Sequence, residues 1–118
     1  MAKPKKNQRR VLVETTQFYP MTEAIYDQIW QGFEDIDPDL AEADRSADNL
    51  RITFANKTVF VINRQGATSQ IWLATKRSGY HFNYDEAKAQ WVCDKTGTEF
   101  FELLGREITK EINQPFSF

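Results

Sequence analysis

Nine carboxylates crowd into residues 23–48: Glu23, Asp27, Glu34, Asp35, Asp37, Asp39, Glu42, Asp44 and Asp48, with Arg45 the one basic residue among them. Like charges at neighbouring helical positions destabilise by about 0.2–0.5 kcal/mol per pair. A bound cation relieves that repulsion, and oxygen donors favour hard cations. No His or Cys lies nearby to add soft coordination, so the chemistry on offer is shallow, exchangeable cation binding. The same charges would steer a basic protein onto the surface. The plain alternative is a solvated acidic face with no specific partner.

A second group of residues lies in Asn63–Phe82. Asn63 and Gln65 share strand parity, as do Gln70 and Trp72. An amide-rich surface with one large indole suits protein binding, since Trp is enriched where binding energy concentrates; a buried Trp with amides in loops is the competing reading. His81 and Cys93 are the sole histidine and cysteine. His81 has no neighbouring Ser, Cys or second His to work with, and Cys93 between Val92 and Asp94 reads as a small packed residue. One cysteine excludes an intramolecular disulfide and a thiolate-based zinc or cluster site within one chain. No P-loop, dinucleotide fingerprint or nucleophile elbow is present. These absences disfavour an enzyme with its own active site.

The elements that position these groups follow from periodicity. The 118 residues, 41% hydrophobic and 27% charged, fit one domain with its own core. The net charge of −2 conceals an asymmetry. Residues 1–13 carry five basic groups (Lys3, Lys5, Lys6, Arg9, Arg10) and no acid, leaving 10 basic and 17 acidic groups, or −7, for the rest. We read residues 1–19 as a basic mobile tail and 20–118 as the domain. A net −7 domain repels phosphates, which argues against nucleic acid. No apolar run approaches the ~20 residues of a membrane span, so a soluble, intracellular protein is expected.

Pro20 marks the expected start of a helix, proline being tolerated in the first turn, and Pro38 its end near Asp37. Ile25, Ile29, Phe33 and Ile36 fall on its core side, with Glu23, Asp27, Glu34 and Asp37 opposite. Leu50–Phe54 alternates as a half-buried strand, Asn56-Lys57 suggests a two-residue turn, and Thr58–Asn63, Gln70–Thr75, Gly79–Tyr84 and Gln90–Cys93 follow as strands. A weaker strand covers Leu40–Arg45. Thr96–Glu99 has capping-box spacing, opening a last helix with a Phe101, Leu104, Ile108, Ile112 stripe. Strands with no helix between them should form an antiparallel meander with both helices on one face: a two-layer α+β sandwich.

Asn63-Arg64-Gln65, then Gln70-Ile71-Trp72-Leu73-Ala74-Thr75-Lys76, then Gly79-Tyr80-His81-Phe82 resemble the central signature of the frataxins, the bacterial CyaY-type members in particular. Trp91-Val92-Cys93-Asp94, Thr96-Gly97 and Leu103-Leu104-Gly105 extend the likeness in order and spacing, from about Met21 to Phe118. The Glu34–Ile52 stretch is several residues shorter than in familiar bacterial members, and the basic start has no counterpart there. The resemblance implies a frataxin fold, weak and exchangeable Fe(II)/Fe(III) binding for which other divalent cations can substitute, and an accessory role in iron–sulfur cluster assembly. It implies iron-binding carboxylates at Asp27, Glu34, Asp35, Asp37, Asp39, Glu42 and Asp44, with Glu23 at the margin. It implies partner contacts at Asn63, Gln65 and Trp72, the partners being a cysteine desulfurase and an iron–sulfur scaffold protein. A monomer with no nucleic-acid or membrane partner is expected, with iron-dependent oligomers, a ferroxidase-like activity and an iron-independent interaction module left as alternatives. A bacterial source would place the protein in the cytoplasm, a eukaryotic one in the mitochondrial matrix.

Overall fold

In the computed structural model, residues 15–118 are described, and they run helix, six strands, helix. Helix α1 spans Thr15–Gly32; strands β1 (Ala41–Arg45), β2 (Asn49–Phe54), β3 (Val59–Gln65), β4 (Gln70–Ala74), β5 (Gly79–Asp85) and β6 (Gln90–Cys93) follow; helix α2 spans Phe100–Ile112. The strands form one antiparallel meander in sequence order. Period-two alternation decides the layers. Leu50, Ile52 and Phe54 of β2, Phe60 and Ile62 of β3, Ile71 and Leu73 of β4, Phe82 of β5 and Trp91 and Cys93 of β6 all point inward and are buried. Phe18, Tyr26 and Ile29 of α1 and Phe100, Leu103, Leu104 and Ile108 of α2 complete the same core. Both helices therefore cover one face of the sheet, as the sequence pattern predicts.

The first helix differs from expectation at both ends. It begins at Thr15, so residues 15–19 belong to the domain rather than to a tail, and Pro20 lies inside it. An interior proline removes one helical hydrogen bond and costs about 3 kcal/mol. Burial upstream offsets it: Phe18 is fully buried and meets Trp91 edge-on at 6.0 Å. Thr22 turns its Oγ1 back to the Phe18 carbonyl at 2.9 Å. Whatever residues 1–14 do lies outside the described residues.

At the other end the helix stops at Gly32, five residues before Asp37. The Gly32 backbone lies against the Phe118 ring, and a Cβ built there would sit 2.7 Å from it. Beyond it the chain closes in tight i to i+3 turns, Glu34 N–H to the Gln31 carbonyl and Ile36 N–H to the Phe33 carbonyl. Glu34, Asp35 and Asp37 thus stand on a turn, not on a helical acid face. The Asp37 carboxylate accepts the Asp39 N–H at 2.9 Å, a local turn of the kind Asp favours.

Two smaller expectations are also corrected. The β2–β3 hairpin uses three loop residues, Ala55 to Lys57, closed by Lys57 N–H on the Phe54 carbonyl, with Lys57 at φ 76°. That is a type I turn followed by a left-handed residue, the usual three-residue solution. The α2 N-cap is Glu99, whose carboxylate accepts the N–H groups of Phe101 and Glu102 at 2.9 and 3.0 Å. Thr96 is occupied one turn earlier, accepting the Thr98 N–H, so no reciprocal box forms.

Tyr26 ties α1 to the sheet. Its hydroxyl donates to the Asp48 carbonyl at 2.8 Å and approaches the Ile62 carbonyl at 3.3 Å. Burial pushes its pKa well above the ordinary 10, with Asp48 and Glu23 adding and Arg64 and Arg45 opposing. A raised folded-state pKa means stability that is complete below pH 10 and is lost as the pH rises above it. Tyr26→Phe should lower stability near neutrality by about 1 kcal/mol, the value of a hydrogen bond. The gap to the unaltered protein should close as the pH is raised beyond 10, read from urea midpoints.

Candidate functional site

Two surfaces carry the residues with chemistry. The first is the β1 edge and the turn that feeds it. Alternation along β1 sends Ala41 and Ala43 toward the helices and Glu42 and Asp44 to the opposite side. Arg45 therefore returns to the helix side, where its guanidinium bonds Asp27 at 2.8 Å and also Glu23. Arg64 of β3 joins the same knot, at 3.1 Å from Glu23 and 5.3 and 4.8 Å above the rings of Tyr19 and Tyr26. Its guanidinium also donates to the Ala47 carbonyl. Asp27 shares the Arg45 guanidinium with Glu23 and is not among the residues lining the groove beside it.

Beyond Asp27 the edge opens into a groove of about 700 Å³. Trp30, Phe33, Ile36, Pro38 and Ala41 line its apolar wall, and Glu34, Glu42 and Asp44 its rim. Trp30 is 43% exposed, one of two large hydrophobic side chains left so open among the described residues. Of the seven carboxylates that the sequence marks for a metal, the groove gathers Glu34, Glu42 and Asp44. Asp35 and Asp39 are exposed on the adjoining turn, where Asp37 holds the Asp39 N–H. Among the described residues no three His, Cys, Asp or Glu side chains converge closely enough to enclose an ion.

The second surface is the outer face of the sheet. Register places Asn63 opposite Trp72 and Trp72 opposite His81, a row across three strands. The Trp72 and His81 rings stack at 4.2 Å with 7° between planes. Trp72 Nε1 donates to Gln70 Oε1 at 2.8 Å, and Gln70 Nε2 donates to Asn83 Oδ1 at 3.0 Å. Gln65 Nε2 reaches Asn63 Oδ1 at 3.3 Å. All three predicted contact residues, Asn63, Gln65 and Trp72, are thus partly exposed on one face. The structure adds Gln70, His81 and Asn83, which hold the indole in place. The sequence offered no signal for Asn83 and no partner for His81; strand register and hydrogen bonding put them beside Trp72 and Gln70.

A helix-covered meander with a carboxylate edge and an indole-and-amide outer face defines a small α+β sandwich domain built around surfaces. The family follows from comparison: a frataxin-like domain model matches residues 12–114, and the chain belongs to the frataxin-like family. The iron-sulfur cluster assembly protein CyaY of Azotobacter vinelandii is 34% identical over 101 residues, covering 86% of this chain and 91% of that protein. The frataxin of Psychromonas ingrahamii superposes with a TM-score of 0.80 at 28% identity, covering 89% of this chain and 97% of that one. A trimeric yeast frataxin from Saccharomyces cerevisiae, complexed with ferrous, shares the fold at a TM-score of 0.57 and 22% identity, over 90% of this chain and 91% of that one.

Proposed function

We propose that this protein is an accessory and regulatory component of iron–sulfur cluster assembly, carrying iron as an exchangeable cargo on its acidic edge and docking on a cysteine desulfurase and scaffold complex. Kinship with a protein named for iron–sulfur cluster assembly supports the role. The observation that carries the iron reading is the grouping of Glu34, Glu42 and Asp44 on one groove, with Asp35, Asp37 and Asp39 beside it. Oxygen-only donors that do not enclose an ion favour weak, hydrated, exchangeable binding of a hard cation. Iron on this edge reduces its negative charge and so weakens attraction to a basic partner. The role is that of a carrier and regulator rather than of an enzyme. Oxygen consumption with Fe(II) should therefore run no faster than with iron alone.

Neutralising Glu34, Asp35 and Asp37 together (Glu34→Gln, Asp35→Asn, Asp37→Asn) should weaken both Fe(II) and desulfurase binding several-fold at low salt. Anaerobic calorimetry for the metal and fluorescence anisotropy for the desulfurase read the two effects. Unchanged affinity for both would refute the assignment.

A further inference from the structure

The groove beside β1 combines two features that seldom meet on a solvated surface. Its wall is apolar, with Trp30 43% exposed, and its rim is acidic through Glu34, Glu42 and Asp44. An occupant must supply cationic heads on long aliphatic stems, which can lie along an apolar wall while the charge stays at the rim. A lysine or arginine over the face of the exposed Trp30 indole adds cation–π attraction.

The chain contains such a segment. Residues 3–10 read KPKKNQRR, with five basic groups and no acid, against a remainder of net −7. Reach settles whether it can arrive. Trp30 lies 15 residues along α1 from Thr15, about 22 Å at 1.5 Å per residue. Lys6 and Lys3 precede Thr15 by 9 and 12 residues. An extended chain of those lengths spans about 30 and 40 Å. Arg9 and Arg10, with about 17–20 Å to use, stop short of Trp30. The lysines therefore have the reach for the groove.

We propose that the groove bounded by Trp30, Phe33, Glu34, Glu42 and Asp44 is the docking site of the lysines of the chain's own basic segment, Lys3, Lys5 and Lys6. Tethering makes the encounter intramolecular, at an effective concentration in the millimolar range, so a weak contact suffices. The segment then competes for the same carboxylates with any cation or basic partner.

The test compares backbone and indole N–H resonances of the full chain with those of a full chain carrying K3Q, K5Q, K6Q, R9Q and R10Q. At about 10 mM salt the Debye length is about 30 Å, and at about 1 M it is about 3 Å. At low salt the Trp30 indole and the Glu34, Glu42 and Asp44 amides should differ between the two proteins, and the differences should collapse at high salt. Trp72 and Trp91 should stay put. A synthetic peptide of residues 1–13 added to the substituted chain should move the same four resonances toward their full-chain positions. Coincident spectra at these positions would overturn the proposal, as would differences confined to Asn63, Trp72 and His81. Dependence on protein concentration would overturn it too, by showing the segment of a second copy in the groove. No metal enters the experiment, so its failure would leave the iron assignment to its own test.

Discussion

Trp72→Ala is expected to weaken desulfurase binding by about 30-fold or more, the cost of at least about 2 kcal/mol typical of a central aromatic anchor. The indole stands mid-sheet, stacked on His81 and held by Gln70, itself tied to Asn83. An aromatic fixed in this way loses little conformational freedom on binding, which is what makes a rigid anchor worth more than its area. Because the ring lies on the outer face, its removal opens no cavity in the core, and the unfolding free energy should fall only by the value of a cross-strand pair, about 0.2–1 kcal/mol. Fe(II) titrations should be unchanged, since no groove carboxylate touches Trp72. Trp72→Phe separates two contributions: it keeps a ring over His81 and loses the Nε1 donor. Intermediate affinity would assign part of the binding to the indole N–H or to the Gln70 amide that it orients. Full retention of desulfurase affinity by Trp72→Ala would remove this face from the docking surface.

The outer face shows where sequence reasoning carries and where it stops. Parity alone puts Asn63 with Gln65 and Gln70 with Trp72, because successive strand residues face opposite ways whatever the tertiary structure. Which strand positions face one another is set by hairpin geometry. The Asn63–Trp72–His81 row therefore became visible only with the register. The charged edge behaves similarly. Nine carboxylates can be counted in residues 23–48, but not which of them are already paired. Alternation in β1 sends Arg45 inward to Asp27 and Glu23, and the turn after Gly32 takes Glu34, Asp35 and Asp37 off the helix. The strands themselves were legible nearly to the residue, since each has one buried face. The start of α1 was not, because Pro20 reads as a first-turn residue, whereas burial of Phe18 carries the helix back to Thr15.

Arg64→Ala should be the most destabilising of the charge-removing substitutions, at about 3 kcal/mol, the scale for removing one member of a buried ionic network. For a domain of this size that corresponds to a melting temperature lower by roughly 12–20 °C. The side chain is only 7% exposed. It bonds Thr22, Glu23 and the Ala47 carbonyl and lies over two tyrosine rings, so it fastens α1, the β1–β2 turn and β3 at one point. Its Nε has no hydrogen-bond partner among the described residues. That unmet donor means the network is held by its other contacts at some cost, and a shape-matched apolar side chain recovers part of the loss. Arg64→Met should therefore be less damaging than Arg64→Ala, retaining contact with Tyr19 and Tyr26 while leaving the Ala47 carbonyl unpaired. Arg45→Ala offers the contrast. At 22% exposure and paired with half-exposed Glu23 and Asp27, Arg45 should contribute about 1 kcal/mol or less, diminishing with salt. Urea unfolding at low and high salt distinguishes the two: a large, salt-insensitive loss for Arg64→Ala and a small, salt-sensitive one for Arg45→Ala. Equal losses that both vanish in salt would mean that the knot is an ordinary surface ion-pair network, and that α1 is held to the sheet by its apolar face alone.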